Sequence, residues 1–232
     1  MTISVGAIIL SRYDSTRLPG KALRKVKNKT LIEYVLEKTL RISGISGVCI
    51  ATSARKIDEP IAKFCYENDV NVYRGSATDV AKRFLECMET NNWDAAIRIC
   101  GDSPLHNSEL MTQAVNIYSA SKNIDIVTNV FPRSYPVGMS VELVSQAALR
   151  IAYAEMNKAS NFEHVTEYFY ENSKDFNFEL FPKNNFDHSK VHLAVDTQLD
   201  FERFQWIIQE LGSDYLNASY QNIIDLYRSY EK

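Results

Sequence analysis

The sequence lacks any long run of one charge. Its 26 Lys and Arg residues nearly balance 29 Asp and Glu residues, and the formal net charge is −3 at pH 7. A surface that follows a nucleic-acid backbone needs a marked basic excess, so we expect no nucleic acid among the partners. The apolar run from Val5 to Leu10 is too short for a signal peptide or a membrane span. We therefore expect a cytoplasmic protein without a membrane partner.

Closely spaced cysteines and histidines are missing as well. The four cysteines are widely spread without a Cys-x-x-Cys pair, and the four histidines show no metal-ligand spacing. Buried free thiols are the expectation for such cysteines. If this chain uses a metal ion, carboxylates are expected to hold it.

What the sequence does contain is an alternation of short apolar segments with longer amphipathic ones, which is typical of an α/β protein. Its 232 residues suffice for a single domain, 1–232. Strands are predicted at 5–10, 48–53, 70–73, 95–100, 124–130, 139–144, 176–181 and 191–195. Helices are predicted at 30–40, 58–68, 79–90, 108–120, 146–157 and 162–171, with two more from 198 onward. The alternation weakens near 130, which makes 131–170 a candidate lobe for acceptor binding or dimerisation.

The loop from Ser11 to Lys21 follows the first predicted strand and precedes a helix. Ligands of open α/β sheets bind at the carboxyl ends of strands, which is where this loop lies. Arg12, Arg17 and Lys21 provide three cations beside hydroxyl groups and a glycine. Arginine forks, a lysine charge and backbone N–H groups together suit a polyphosphate. The alternative is a solvated basic turn, and the strand–loop–helix placement favours phosphate binding.

Two aspartates far apart in sequence follow predicted strands. Asp102 stands in Gly101-Asp102-Ser103-Pro104, and Asp196 stands in Val195-Asp196-Thr197. Magnesium prefers hard oxygen ligands, often one or two carboxylates completed by substrate phosphates and water. Asp102 could instead cap the next helix, whereas Thr197 with Asp200 already forms a capping box and leaves Asp196 unexplained by capping.

These segments together resemble the bacterial cytidylyltransferases that activate acidic sugars, namely the CMP-Kdo synthetases and the SpsF-like group. The run from Arg12 to Lys21, with Leu23, resembles their triphosphate-binding loop; the turn at 101–104 resembles their GDxP element, and 195–201 resembles VDTxxDL with Phe201 in place of leucine. The resemblance implies a three-layer α/β/α domain of the Rossmann-like GT-A type, with a mixed, mostly parallel sheet and a small protruding lobe or dimer arm. It also implies Mg²⁺ on Asp102 and Asp196, and a homodimer.

The same resemblance assigns site residues. Catalysis is expected from Lys21, Arg12 and Arg17. Nucleotide binding is expected from Leu10, Ser11, Arg12, Ser15, Arg17, Lys21, Arg74, Ser76, Cys100 and Asp102. Cys100 replaces a glutamine that reads cytosine in the Kdo-type enzymes, and a thiol cannot form the same paired hydrogen bonds. Two alternatives stay open nearby: Arg74 as a surface residue, and Asp79 with Arg83 as an ion pair within a helix.

Acceptor recognition is expected in the second half of the chain. The run from 129 to 142 and the Glu-His-Val-Thr segment at 163–166 resemble SpsF-like elements. The predicted acceptor-binding residues are Asn129, Arg133, Tyr135, Gly138, Glu142 and His164. Plain helix packing is the alternative for His164.

The resulting expectation is a magnesium-dependent transfer of CMP from CTP to an acidic sugar, with release of pyrophosphate, for surface polysaccharide synthesis. The acceptor could also be a polyol phosphate or a phosphonate. A GT-A glycosyltransferase is a further alternative, although Gly101-Asp102-Ser103 offers only one acid where such enzymes usually carry two. A non-catalytic nucleotide-binding regulator is disfavoured because Lys21, Asp102 and Asp196 are all retained.

Overall fold

The computed structural model describes residues 3–121, 123–181 and 187–231. Its strands are β1 (Val5–Leu10), β2 (Lys25–Val26), β3 (Lys29–Thr30), β4 (Gly47–Ser53), β5 (Val72–Gly75), β6 (Ala95–Cys100), β7 (Ile126–Thr128), β8 (Glu142–Ser145) and β9 (Phe178–Leu180). Its α-helices are α1 (Leu31–Thr39), α2 (Glu59–Glu67), α3 (Val80–Thr90), α4 (Ser108–Ala120), α5 (Gln146–Glu155), α6 (Ala159–Glu163), α7 (Glu167–Glu171), α8 (Gln198–Leu211) and α9 (Tyr220–Tyr230). None of the described helices is long and apolar enough to span a membrane.

Seven strands form one mixed sheet in the order β5-β4-β1-β6-β8-β7-β9. All neighbours pair in parallel except β8, which runs antiparallel to both β6 and β7. Strand β1 lies between β4 and β6, so its carboxyl end is flanked by those of two parallel strands. The prediction of a mixed, mostly parallel sheet is confirmed.

Helices cover both faces of this sheet. Alternation along β1 sends Ala7 and Ile9 into an apolar cluster with α1, α2 and α4, and sends Ile8 into another with α3, α5 and α7. Because side chains alternate along a strand, β1 is apolar on both faces and reads as one continuous hydrophobic run. The predicted three-layer α/β/α architecture is thereby confirmed.

A third apolar cluster joins the end of the chain to its beginning. Helices α8 and α9 pack against the β2–β3 hairpin and against the side of α1 that carries Leu31 and Tyr34. The Tyr34 ring meets Phe204 and Tyr215 edge to face, with 5.2 Å between ring centroids in both pairs. Helix α1 is therefore buried on two sides. This packing fixes the segment before α8, which carries Asp196.

Capping boxes start two of the helices. Thr30 and Glu33 form one at α1, and Thr197 and Asp200 form the other at α8. The Asp200 carboxylate accepts from the Thr197 N–H at 2.8 Å and from the Thr197 hydroxyl at 2.8 Å. Asp200 thus serves the helix, as its spacing predicted.

The structure differs from the predicted elements at several points, and in place of the predicted strands 124–130, 139–144 and 176–181 it has the shorter β7, β8 and β9. Strand β5 begins two residues later than predicted, after Asp69 takes a left-handed turn conformation. The predicted helix 162–171 is broken at His164–Thr166 into α6 and α7. The predicted strand 191–195 is an extended segment that bonds to Val137 and Asp102 without joining the sheet ladder. The short β2–β3 hairpin was not predicted.

Candidate functional site

A cavity of about 490 Å³ opens at the carboxyl ends of β1 and β6. Ten of the residues predicted from the sequence line it: Leu10, Ser11, Arg12, Ser15, Arg17, Lys21, Cys100, Asp102, His164 and Asp196. The remaining predicted residues lie outside its lining: Arg74, Ser76, Asn129, Arg133, Tyr135, Gly138 and Glu142. The structure therefore brings the loop and both aspartates together and leaves much of the predicted acceptor segment elsewhere.

Lys21 is at the centre of the charged part of the cavity. Its Nζ donates to Asp102 Oδ2 at 2.8 Å, to Asp196 Oδ1 at 3.0 Å and to the Val195 carbonyl at 3.0 Å. Burial lowers the pKa of Lys21, but the two carboxylates outweigh it and hold the pKa above its ordinary value. The ammonium is thus permanently charged and fixed between the two acids.

Two different elements supply these acids. Asp102 follows β6 directly, and Asp196 ends the extended segment before α8. A backbone hydrogen bond of 2.8 Å from the Val195 N–H to the Asp102 carbonyl ties the two segments together. Arg17 reaches Asp196 Oδ1 at 3.1 Å, and His192 Nε2 lies 3.6 Å from Asp196 Oδ2. Within the described ranges, no group of three or more His, Cys, Asp or Glu residues could hold a metal ion.

The loop from Ser11 to Lys21 is anchored by Asp58, which the sequence predicts only as the start of a helix. The buried Asp58 carboxylate accepts from the Tyr13 N–H at 2.6 Å, from the Ser53 hydroxyl and from Arg55 at 3.0 Å. Arg55 also pairs with Asp14 at 2.7 Å. The backbone at Tyr13 and Asp14 is therefore pinned to the start of α2. Only the three-dimensional arrangement reveals this, because Asp58 looks like an ordinary capping residue.

Arg12 bridges the cavity to the break between α6 and α7. Its guanidinium pairs with Glu163 at 2.8 Å and contacts the Ala77 carbonyl at 3.3 Å. His164, the residue singled out from the sequence, is exposed at the cavity wall beside this pair. Glu163 was part of the same sequence element but was not predicted to act, since a carboxylate next to a phosphate site has no obvious role without the structure.

Arg83 is a cation for which the sequence left open an ion pair with Asp79 within α3. The structure rules that pair out, because Asp79 instead accepts from the Lys82 N–H at 2.8 Å and from the Tyr153 hydroxyl at 2.7 Å. Arg83 is 1% exposed, lines the cavity and donates to the Ser76 carbonyl at 2.5 Å. Burial lowers the pKa of Arg83 to about 10. In the described part of the chain it has no carboxylate partner.

Arg98 lines the same cavity, but its charge is balanced by an ion pair with Glu142. It pairs with Glu142 at 2.6 Å, and the Glu142 carboxylate also accepts from the hydroxyls of Thr166 and Tyr170 at 2.5 and 2.7 Å. Glu142 was predicted to bind the acceptor, and the structure places its buried carboxylate in this cluster. Its neighbour Cys100 has a pKa raised to about 11 by burial, so the thiol is neutral at pH 7.

Arg74 lies in β5 and Ser76 directly follows it, and neither residue lines the cavity. Arg74 pairs with Glu59 at 2.6 Å and contacts the Ser53 carbonyl at 3.4 Å. The Ser76 hydroxyl accepts from the Asp79 N–H at 3.0 Å, just before α3. Their predicted role in nucleotide binding stays a prediction, and the contacts seen here are structural.

A second, smaller cavity of about 180 Å³ shares Asp102 and Asp196 with the first and is also lined by Gly138. Gly138 has φ of 94°, and a Cβ there would lie 2.8 Å from the Ala194 nitrogen, so glycine is needed for the close approach of the two segments. The predicted acceptor residue Asn129 is buried and bonds the backbone of Met139 and Val141. Two further predicted acceptor residues are held within the same region, Arg133 by the Ser140 hydroxyl and Tyr135 by packing against Tyr220.

Comparison with known proteins gives a consistent result. The sequence profile of a family described as cytidylyltransferase matches residues 6–231. A solved cytidylyltransferase from Leptospira borgpetersenii serovar Hardjo-bovis superposes with a TM-score of 0.91 at 30% identity, covering 99% of this chain and 95% of that one. The spore coat polysaccharide biosynthesis protein SpsF of Bacillus subtilis is 26% identical over 88% of this chain and 86% of its own length.

A more distant solved structure shares the fold. It is the CMP:2-keto-3-deoxy-manno-octonic acid synthetase complexed with CTP, which superposes with a TM-score of 0.67 at 17% identity. The superposition covers 89% of this chain and 99% of the synthetase. Architecture alone is conserved at that distance.

Proposed function

Because the chain belongs to the cytidylyltransferase family, we propose that it transfers CMP from CTP to an acidic sugar, releases pyrophosphate and supplies surface glycan synthesis. The likeness to SpsF, whose name refers to spore coat polysaccharide biosynthesis, supports the glycan role. The fold shared with a Kdo synthetase that binds CTP supports the nucleotide and the sugar-acid class. The enzyme class follows from the family; the acceptor and the pathway are the proposal.

The observation that carries the proposal is Lys21 between two aspartates in a cavity that four arginines also line, of which Arg98 is paired with Glu142. Lys21 Nζ lies within 3.0 Å of both Asp102 and Asp196, and Arg12, Arg17 and Arg83 face the same space. A triphosphate carries several negative charges on geminal oxygens, which arginine forks and a lysine ammonium recognise well. Positioning and charge neutralisation are what transfer at phosphorus asks of a protein.

The two aspartates fit a magnesium ion by their chemistry. Both are carboxylates, and both have an oxygen within 3.0 Å of the Lys21 ammonium. The described residues add no third acidic, histidine or cysteine ligand. Magnesium is commonly held by one or two carboxylates, with substrate phosphates and water completing the shell. We assign Asp102 and Asp196 as its ligands; when bound, the ion would neutralise charge that develops on the phosphate oxygens.

The remaining groups bind and orient the substrate. Arg17 and Lys21 hold the triphosphate, and Asp58 keeps the Tyr13 backbone in place so that the loop does not have to order on binding. Cys100 presents a neutral thiol where Kdo-type enzymes have a glutamine, so cytosine selection rests on other contacts of the wall. The smaller cavity beside Gly138 shares both aspartates, which makes it the space from which an acceptor hydroxyl approaches the α-phosphorus.

The test is acceptor-dependent pyrophosphate release. Purified protein with Mg²⁺ and each of CTP, UTP, GTP and ATP is assayed over a panel of sugar acids, polyol phosphates and phosphonates. We expect activity with CTP and a sugar acid, and a loss of about 100-fold or more in kcat for Lys21→Ala and for Asp102→Asn. Lys25→Ala and Asp175→Asn change exposed residues of the same types and serve as matched controls.

The panel separates the parts of the proposal. Activity with a polyol phosphate or a phosphonate keeps the reaction and replaces the acceptor. Equal activity with another nucleotide removes the CTP assignment. Full activity in Lys21→Ala would contradict the assignment of the site. The homodimer stays a prediction, which gel filtration with light scattering checks.

A further inference from the structure

A groove lined by Lys38 and Arg41 lies between the end of α1, the start of α4 and the loop before α9. We call it the Lys38 groove. Its volume is about 530 Å³, and it shares no lining residue with the cavity that contains Lys21. It is therefore a separate feature, which the proposed reaction does not use.

The side chain of Lys38 is unusual for a lysine. The residue is 3% exposed, and across the described residues its ammonium has no carboxylate within ion-pair distance and no hydrogen-bond acceptor. Lysine is almost never fully buried unless it is paired. With so little of the side chain exposed, the ammonium gives up much of its hydration and receives no bonded acceptor from the described residues in return. Burial, together with the nearby Arg41 and against the opposing charge of Glu109, lowers the pKa of Lys38 to about 8.

The charges around the groove leave a positive excess. Arg41 adds a second cation and is held in place by Asn217, which accepts from its guanidinium at 2.9 Å. Glu109 is the acidic residue that faces these two cations among the groove's lining, and it is exposed. Lys38 also stands in the last turn of α1, where the helix dipole favours a cation but supplies no bonded acceptor in this structure.

Neutral donors complete the arrangement. The groove borders the first turn of α4, a helix of 13 residues that begins at Ser108. The N–H groups of a helix's first turn point outward and favour anions. Thr112 Oγ1 accepts from the Ser43 N–H at 3.0 Å, which leaves its hydroxyl proton available to a ligand in the groove.

We propose that the Lys38 groove binds a small phosphate-type oxyanion, with Lys38 and Arg41 as its charges and the start of α4 as its neutral donors. An anion there supplies a bonded counter-charge, which Lys38 lacks among the described residues. The groove is larger than inorganic phosphate requires. Pyrophosphate is released in the proposed reaction, and CMP is the group that is transferred. Both present phosphate oxygens as inorganic phosphate does, so the experiment compares all three anions.

The experiment is a titration of the isotope-labelled full chain, followed by amide chemical shifts. With inorganic phosphate we expect saturable shifts at Ser43, Ser108 and Thr112. Shifts at Ser15 and Lys21 report the other cavity independently, so the two proposals succeed or fail separately. Parallel titrations with pyrophosphate, CMP and sulfate identify the preferred anion.

Two variants test the role of Lys38 itself. Lys38→Met keeps the length of the side chain and should weaken phosphate binding at the groove by about tenfold or more, while its melting temperature stays equal or rises. Lys63→Met, an exposed helical lysine, should change neither. Arg41→Gln changes an exposed residue and should weaken binding severalfold. It tests the groove independently if Lys38→Met fails to fold.

The outcomes are unambiguous. Absence of saturable shifts at the groove in the wild-type chain, with shifts at Ser15 and Lys21 present, would overturn the proposal. So would unchanged groove affinity in Lys38→Met together with a lowered melting temperature, which would make Lys38 a purely structural residue.

Discussion

Arg83 and Arg98 line the same cavity, but their guanidinium groups have different partners. Arg98 donates to Glu142 at 2.6 Å, and Thr166 and Tyr170 complete the carboxylate's partners. Within the described residues, the Arg83 guanidinium donates only to the Ser76 carbonyl. Each keeps a buried Nε without a partner among the described residues, so the difference lies at the terminal nitrogens.

The pKa directions follow this difference. Burial alone would lower the pKa of Arg98, but Cys100 and Glu142 raise it above the ordinary value. Burial would raise the pKa of Glu142, yet Arg98 and the two hydroxyls hold it below the ordinary value. For Arg83, the effect of burial exceeds that of the nearby carboxylates, and the pKa falls to about 10. A paired buried arginine holds the fold together, whereas an unpaired one facing a cavity is available to a ligand's negative charge.

The largest effect is expected from breaking the paired side. Glu142→Ala removes a buried carboxylate and leaves the half-buried Arg98 charge unpaired, which should lower the free energy of unfolding by about 3–5 kcal/mol. Urea denaturation measures it. Glu142→Gln keeps an acceptor and should lose less, and Glu163→Ala, at a partly exposed ion pair, should lose little. A change below about 1 kcal/mol in Glu142→Ala would show that the cluster is solvated and not a structural unit.

Removing the unpaired cation should affect binding more than folding. Arg83→Met loses one hydrogen bond and the cost of a buried charge, so its free energy of unfolding should change by no more than about 1 kcal/mol. Its CTP affinity should fall about 10- to 100-fold, the equivalent of a charge-assisted hydrogen bond. Calorimetric titration with CTP checks this, with the exposed Arg150→Gln as control. Lost stability with unchanged affinity would mean that Arg83 only braces the Ser76 carbonyl.

His106 extends the comparison to a buried base without a carboxylate. It contacts the Thr39 hydroxyl at 3.1 Å, and burial, with Lys38 nearby, lowers the pKa of His106 to about 3. The unfolded chain therefore binds a proton below pH 6.5 that the folded chain does not, so stability falls as the pH falls.

The expected slope is up to about 1.4 kcal/mol per pH unit. It should appear between pH 6.5 and about 5, which is above the range where Glu142 protonates in the unfolded chain. His106→Gln should flatten this part of the profile in urea denaturation at several pH values. A slope that persists in the variant would assign the acid sensitivity to other groups.

The smallest effect is expected at Arg74, whose partner Glu59 is exposed. Arg74→Gln should change the free energy of unfolding by no more than about 0.5 kcal/mol, as for other surface pairs. Because Arg74 does not line the cavity, we also expect its CTP affinity to match that of Glu59→Gln. A selective loss of CTP affinity in Arg74→Gln would restore the nucleotide-binding role inferred from the sequence.

Sequence reasoning was most accurate where local pattern and tertiary structure agree. Strands β1 and β6 and the helix starts at Thr30 and Thr197 were predicted because continuous apolar runs and capping boxes are local signals. The loop at Arg12–Lys21 and the two aspartates were also predicted from strand ends. The family assignment from these same motifs is confirmed.

What the sequence did not reveal depends on contacts between distant residues. The role of Asp58 requires knowing that Tyr13 approaches it, and Glu163 is placed opposite Arg12 only because α6 ends at that point. The segment 191–195 looked like a strand because it is short and mostly apolar, but its hydrogen bonds go to Val137 and Asp102. A short apolar run indicates burial, and it does not indicate which partner satisfies the backbone.

The hydrogen bond from Val195 to Asp102 joins two segments that are made at different times during translation. Residues before 103 include the loop from Ser11 to Lys21 and the strands β1, β4, β5 and β6. Asp196 comes more than ninety positions after Asp102. Translation therefore releases the loop from Ser11 to Lys21 and Asp102 long before Asp196. Until the segment that carries Asp196 emerges and docks, Lys21 can pair with only one of its two carboxylate partners.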